Sequence, residues 1–492
     1  MVLEMNFDVY NAKWSSKCLA IRWPILLVFP VIVWSAGFDE VFFPETVLAL
    51  VSSFFLLWAT PQYGVNALPV WAVFFIFMVG YFLKSIYLFL ENADVFNNIS
   101  PFIRPLINQS SLIKAYDITV LAYVVFCFVS IAFLKWFNWK SINGYSEYEY
   151  TDMNLVFKKR LFVSLLLMVG IFSIITGYVQ AVTGVGVMGN NVVLPYRLSG
   201  VIVYGRQFVT YSIFLLVFLN EDEQFKKIRL AALILLFFHI LSMAFLATSR
   251  GVFIGPTLGL FVMWIITNNF TRQRLFVIIS VILFVALIHP LVTQLRSDRV
   301  QDTSDFIGSI SRISVFNKES ADVGESAFVS MFTRITGIEQ VVLVSTLTDP
   351  VFDLQHIKQL LFDPERSFTQ IFTQDIEGRG LLCINHGSAP GLVGALFILG
   401  GTGGVVVGMV IWIFFGLLCW KMIPHFFNLT APAVFGAFFS LYLFSTTEGT
   451  LNGIPFTFAS NFVIFFVGER LVREANIVNA IRCANNCKLG YN

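Results

Sequence analysis

The chain has 492 residues and a mean hydropathy of +0.77; 57% of its residues are hydrophobic and only 13% are charged. A soluble domain carries about 25% charged residues, so this composition excludes an ordinary water-soluble globule and makes lipid the solvent for most of the surface. A net charge of +2 is too small to point to nucleic acid, and the cysteines (Cys18, Cys127, Cys383, Cys419, Cys483 and Cys487) show neither a disulfide framework nor a zinc spacing.

Apolar runs recur along the chain at the roughly 20 residues that a helix needs to cross a bilayer. They predict an all-α polytopic membrane protein of about twelve transmembrane helices, at about 19–37, 41–60, 67–90, 117–137, 161–182, 199–219, 228–248, 251–268, 274–294, 391–420, 431–447 and 454–471. Lys13, Lys17 and Arg22 precede the first run and no small-residue cleavage site follows, which predicts a retained helix rather than a removed signal peptide. Lys84 lies about one turn from the end of the third run, a position from which an ammonium is expected to snorkel to the interface. His239 and His289 sit inside apolar runs and are expected as hydrogen-bonded core histidines. The tenth run opens with Gly391, Gly394, Gly400, Gly401, Gly403 and Gly404, which predicts a broken or re-entrant start followed by a span.

Between the ninth and tenth runs lies a polar segment, 295–387, with 21 of the 62 charged residues of the chain. Within it, Phe306, Ile310, Ile313 and Phe316, and then Phe328, Met331, Phe332, Ile335 and Ile338, recur at helical spacing. Two amphipathic helices are expected there, lying on the membrane or packing over the bundle. The chain thus divides into an N-terminal membrane bundle (1–294), a large helical loop (295–387), a C-terminal membrane segment (388–471) and a tail (472–492).

Lys and Arg concentrate in alternate short loops: Lys13, Lys17 and Arg22; Lys140 and Lys158–Arg160; Lys226, Lys227 and Arg229; Arg272 and Arg274; Lys421; and Arg470, Arg473, Arg482 and Lys488. The positive-inside rule makes that set cytoplasmic. Both termini are then inside and 295–387 is outside, which in a bacterium means the periplasmic side of the inner membrane.

Several polar residues gather at the outer ends of the spans. Arg197 and Arg206 flank the start of the sixth. Arg250, in Thr248-Ser-Arg-Gly, occupies the tight turn between the seventh and eighth, and Glu448 the turn between the last two. Arg379 and His386 close the large loop, the latter in Asn385-His386-Gly387-Ser388 just before the glycine-rich run. An arginine at the lip of a bundle is costly unless it is paired or faces water. Several at one depth point to an anionic ligand, because the guanidinium fork suits phosphate. His386 is suited to acid, base or hydrogen-bond work near neutral pH. Glu377, Asp375 and Glu448 are the acidic candidates for a general base. No phosphate-binding Lys loop, dinucleotide fingerprint, His-Glu-x-x-His or nucleophile elbow is present, and neither metal nor cofactor is expected.

The run Ile384-Asn-His-Gly-Ser-Ala-Pro-Gly-Leu-Val-Gly-Ala-Leu-Phe-Ile-Leu-Gly-Gly after a large outer loop, with the Thr-Ser-Arg-Gly turn at 248–251, resembles the O-antigen polymerase (Wzy) family, and the topology is similar across essentially the whole chain. The resemblance implies a glycosyltransferase that moves a growing glycan from undecaprenyl pyrophosphate to the non-reducing end of a lipid-linked repeat unit, outside the membrane. It implies that Arg250 and Arg206, helped by Arg197 and Arg379, hold the pyrophosphate and that His386 orients or activates the acceptor. Glu377 or Glu448 would be the base. Partners would be the lipid-linked oligosaccharide, membrane lipid and a chain-length regulator. An O-antigen ligase shares this architecture and donor and is the nearest alternative. A lipid-linked oligosaccharide flippase or other transporter also fits twelve spans, though its charges are expected near the midplane in related halves. A non-catalytic member of a polysaccharide assembly complex is a further alternative.

Overall fold

The structure is a computed structural model that describes residues 39–90, 108–137, 155–183, 210–218, 225–247, 251–267, 274–281, 283–284, 337–347, 391–427, 430–448 and 462–470, with positions 28, 31, 198, 202, 205, 206 and 272. Among these residues the secondary structure is helical and no strand occurs. Among the described residues five helices are long and apolar enough to cross a membrane, and Pro44–Ala59, Gly255–Ile266 and Ala431–Thr447 are shorter apolar helices. Helices dominate because hydrocarbon offers no partner for a backbone N–H or C=O.

The principal helices are α1 (Asp39–Ala59), α2 (Leu68–Ile76), α3 (Lys84–Leu90), α4 (Gln109–Trp136), α5 (Leu155–Thr183), α6 (Thr210–Phe218), α7 (Lys226–Ala247), α8 (Gly251–Ile266), α9 (Ile338–Leu347), α10 (Gly391–Phe426) and α11 (Ala431–Glu448). Two departures from regularity shape the bundle. The third predicted span is not one uniform helix. It begins as a 3-10 turn, Pro61–Ala67, with Gly64 at φ 51°, and passes through a π-helical stretch, Phe77–Leu83, before α3. The predicted glycine break in α10 is present at Gly400–Gly401, where Gly401 has φ 58° and ψ −146°, a region that only glycine enters freely. Residues eight apart on a straight helix are about 12 Å apart. A Cβ on Gly404 would nevertheless lie 2.6 Å from the Leu396 carbonyl oxygen, and one on Gly408 would lie 3.1 Å from Leu396 Cγ. The arm 391–399 therefore folds back along the start of the arm that follows. Gly391 through Ile398 are all buried.

α4 is the central helix. A capping box starts it: Asn108 Oδ1 accepts from Ser111 N at 2.9 Å, and Asn108 N donates to Ser111 Oγ at 3.0 Å. Its aromatic side chains interlock with the π-helical stretch, Phe77 stacking on Phe126 and Phe82 meeting Tyr123 edge-on at 5.0 Å between centroids. Hydroxyl pairs tie it to α1, Thr46 with Tyr116 at 2.9 Å and Ser53 with Tyr123 at 2.6 Å. Both partners advance seven residues between the two contacts, so α1 and α4 run parallel. α10 also runs parallel to α4, because Lys421 near its C-terminal end donates to the Phe137 carbonyl at 2.7 Å and Phe414 packs on Phe133.

α8 and α11 pack backbone against backbone. Gly255 and Gly259 on one face Gly436 and Ser440 on the other, and Ser440 Oγ donates to the Gly255 carbonyl at 2.6 Å. A Cβ on Gly436 would lie 3.4 Å from Gly259 Cα and closer still to its carbonyl. Small residues four apart let two helix backbones approach in a bilayer, where no water is left to expel. The buried carboxylate of Glu469 accepts from Thr430 N at 2.9 Å and Oγ1 at 3.0 Å. It thereby caps the positive end of α11.

Of the two amphipathic helices expected in the large loop, Phe306–Phe316 lies outside the described residues, as does the second stripe up to Ile335. The helix that is described, α9, does not lie on the membrane surface. Val341, Val342, Leu343 and Val344 are fully buried, against α4 and α10. Lys84 does not snorkel either. It is 0% exposed and its Nζ meets Glu339 Oε1 of α9 at 2.6 Å. A carboxylate brought in by the loop satisfies the ammonium where it stands, which removes the need to reach water.

Candidate functional site

Arg206 is the described member of the predicted arginine set, and it is 1% exposed. It follows Gly205 in a short π-helical turn. Glycine is needed at 205 because a Cβ there would lie 2.7 Å from the Phe172 ring of α5. The turn is fixed from two sides: Thr210 Oγ1 donates to the Gly205 carbonyl at 3.1 Å, and His239 Nε2 donates to the Arg206 carbonyl at 3.0 Å. Since a carbonyl only accepts, the His239 proton is on Nε2. Its Nδ1 then accepts from the Ser173 hydroxyl at 2.8 Å.

The guanidinium lies between α5 and α7. Nη1 donates to Gln180 Oε1, and Nη2 donates to Ser242 Oγ at 2.5 Å. Ser242 Oγ in turn donates to the His239 carbonyl at 2.8 Å. The bare backbone of Gly177 lies under the fork, since a Cβ there would be 3.6 Å from both Nη1 and Nη2. Nε is buried and has no hydrogen-bond partner. Among the described residues no carboxylate stands within ion-pair distance of Arg206; the ion pair they hold is Lys84–Glu339. Among the described residues, neutral oxygens thus orient the cation and no carboxylate compensates its charge. That arrangement is suited to receiving an anion.

The sequence singled out Arg206 and, as a core histidine, His239, but not the other side chains around the guanidinium. Their signal was present as spacing. Ser173, Gly177 and Gln180 fall at i, i+4 and i+7 on α5, and His239 and Ser242 at i and i+3 on α7, so each helix turns one polar face toward the arginine. His239 is the satisfied histidine expected, though its partner is the backbone of Arg206. Glu448 is the last residue of α11, and its side chain lies outside the described residues. Arg197, Arg250, Glu377, Arg379 and His386 also lie outside them, as does the alternative acid Asp375. On the opposite side of α7, an apolar groove of about 560 Å³ opens between α7, α8 and residues 276–284, lined by Leu233, Phe237, Ile240, Leu260, Trp264 and Phe284 among others.

No protein-family model, curated protein or solved structure matches the chain.

Proposed function

We propose that the chain is a membrane glycosyltransferase that polymerises a surface polysaccharide from undecaprenyl-pyrophosphate-linked units. The carrying observation is Arg206, a guanidinium buried in a membrane bundle and oriented by Gln180 and Ser242, with Nε unpartnered among the described residues. In this reading Arg206 binds the pyrophosphate of the donor, with Arg250, Arg197 and Arg379 completing the cluster. The bond from the anomeric carbon to the pyrophosphate oxygen breaks, and the acceptor hydroxyl forms the new glycosidic bond. Its proton passes to a base, Glu377 or Glu448, while His386 orients the acceptor. Undecaprenyl pyrophosphate leaves with the bonding electrons, and fixed cations stabilise that developing charge. A lipid-linked donor is already activated, so no nucleotide sugar is needed on the outer side.

The test is complementation of a polymerase-null strain with Arg206→Ala at parental expression. Lipopolysaccharide with single repeat units only is expected, matching a rate loss of about 100- to 1000-fold, and Arg250→Ala should do the same. Full-length ladders from Arg206→Ala overturn the assignment. Lipopolysaccharide with no repeat at all after deletion of the parent gene would instead mark a ligase.

A further inference from the structure

We propose that residues 337–347 form a plug, inserted from the large polar segment into the membrane bundle and latched there by Lys84 and Glu339. This reading is independent of the glycosyltransferase assignment. α9 has ten residues, a length of about 15 Å, half the hydrocarbon thickness of about 30 Å. A helix that short does not cross a bilayer, yet Val341 through Val344, four successive residues and so more than one full turn, have no exposed surface. A turn buried on every side belongs in an interior, not on a surface.

Both ends of α9 are held by lysines from neighbouring spans. At the N-terminal end, Glu339 in the first turn meets Lys84 Nζ at 2.6 Å. The acid also complements the positive end of the helix. At the C-terminal end, Lys114 Nζ donates to the Ser345 carbonyl at 2.6 Å. Gly337 presses backbone on backbone against Gly80 of the π-helical stretch, where a Cβ would lie 3.1 Å from Gly80 Cα and closer to its carbonyl. The first arm of α10 packs on α9 as well, and Val393 N donates to Tyr81 Oη at 3.4 Å, one turn from Lys84. The segment 295–387 is thus anchored inside the bundle near its middle and flanked at its end by the fold-back of α10.

The pair acts as a latch because neither charge is tolerable alone. Glu339 Oε2 is buried with no hydrogen-bond partner, so Lys84 is what compensates the carboxylate. Removing one partner of a buried pair strands the other, whereas replacing both with apolar groups of similar volume is often harmless. Lys84→Met or Glu339→Gln should therefore expel α9, and Lys84→Met with Glu339→Met should let it seat again.

The experiment uses the full chain in native membranes with Ser345→Cys as a reporter, since Ser345 is 3% exposed. A membrane-impermeant maleimide is applied and labelling of the peptide carrying residue 345 is measured by mass spectrometry. In the reporter background alone the thiol should be protected. Adding Lys84→Met should raise labelling by about a hundredfold, the lower bound for a lost buried-pair partner, and adding both methionines should return it to the protected level. The proposal is overturned if Lys84→Met labels no more than the reporter background, or if the double methionine variant labels as strongly as the single one. If Lys84→Met fails to accumulate in the membrane, accumulation replaces labelling as the readout. Recovery in the double variant then supports the latch, and continued failure overturns it.

Discussion

His239 shows how a residue can matter without touching a ligand. Its ring donates to the Arg206 carbonyl and accepts from Ser173, so it fixes the backbone from which the guanidinium projects. His239→Phe keeps the ring volume but leaves a buried carbonyl and a hydroxyl unpaired, at about 1–3 kcal/mol. The thermal midpoint in detergent should fall, and His239→Gln, which retains an N–H donor, should recover part of the loss. Equal midpoints for the parent and His239→Phe would show that the network carries no stability. Arg206 was legible because charge in an apolar run is costly. Gln180 and Ser242 were not, because a single neutral polar residue in a span is cheap enough to carry no signal until a second helix faces it. Lys84 was misread for a related reason. Its partner, Glu339, is 255 positions away, and no local rule links the two.

Glycines act at the level of elements, and the structure separates their roles. Gly401 sits at φ 58° and ψ −146°, so Gly401→Ala should cost about 1–3 kcal/mol through backbone strain. Gly436 meets the α8 backbone, and Gly436→Ala should cost a further overpacking penalty of about 1–3 kcal/mol. Gly403 has nothing within 4 Å of a built Cβ. Gly403→Ala should stay within about 1 kcal/mol of the parent, the size of the helix-propensity difference. Thermal midpoints of the three variants check the order; a Gly403→Ala loss as large as that of Gly401→Ala would refute the reading of the break. The glycine cluster announced an interruption in α10 because consecutive flexible residues weaken a helix locally. It did not announce a fold-back, which depends on Leu396 finding Gly404 and Gly408. The π-helical stretch Phe77–Leu83 was likewise unreadable, since no residue in it forbids a regular helix.

Helix directions test the whole-molecule layout. The predicted spans alternate in direction if 295–387 begins and ends on the same face, which predicts which helix pairs run parallel. The helices at the second and fourth runs, α1 and α4, are parallel, as are those at the fourth and tenth, α4 and α10. At the eighth and eleventh runs, α8 and α11 are antiparallel, because Gly255 meets Ser440 while Gly259 meets Gly436. With one crossing at 274–294, a polar segment that itself crossed the membrane would make α8 and α11 parallel. The expected layout therefore has the ten-residue α9 entering and leaving on one side. The positive-inside rule predicts that this side is the outer one. Alkaline phosphatase inserted after Ser320 and after Leu360, on either side of α9, should be active at both positions, while green fluorescent protein inserted after Tyr145 should fluoresce. Opposite phosphatase activities at 320 and 360 would mean that the segment crosses. Two inactive insertions would reverse the orientation and place the Arg206 cluster on the cytoplasmic side, where a lipid-linked glycan already carried across could not reach it.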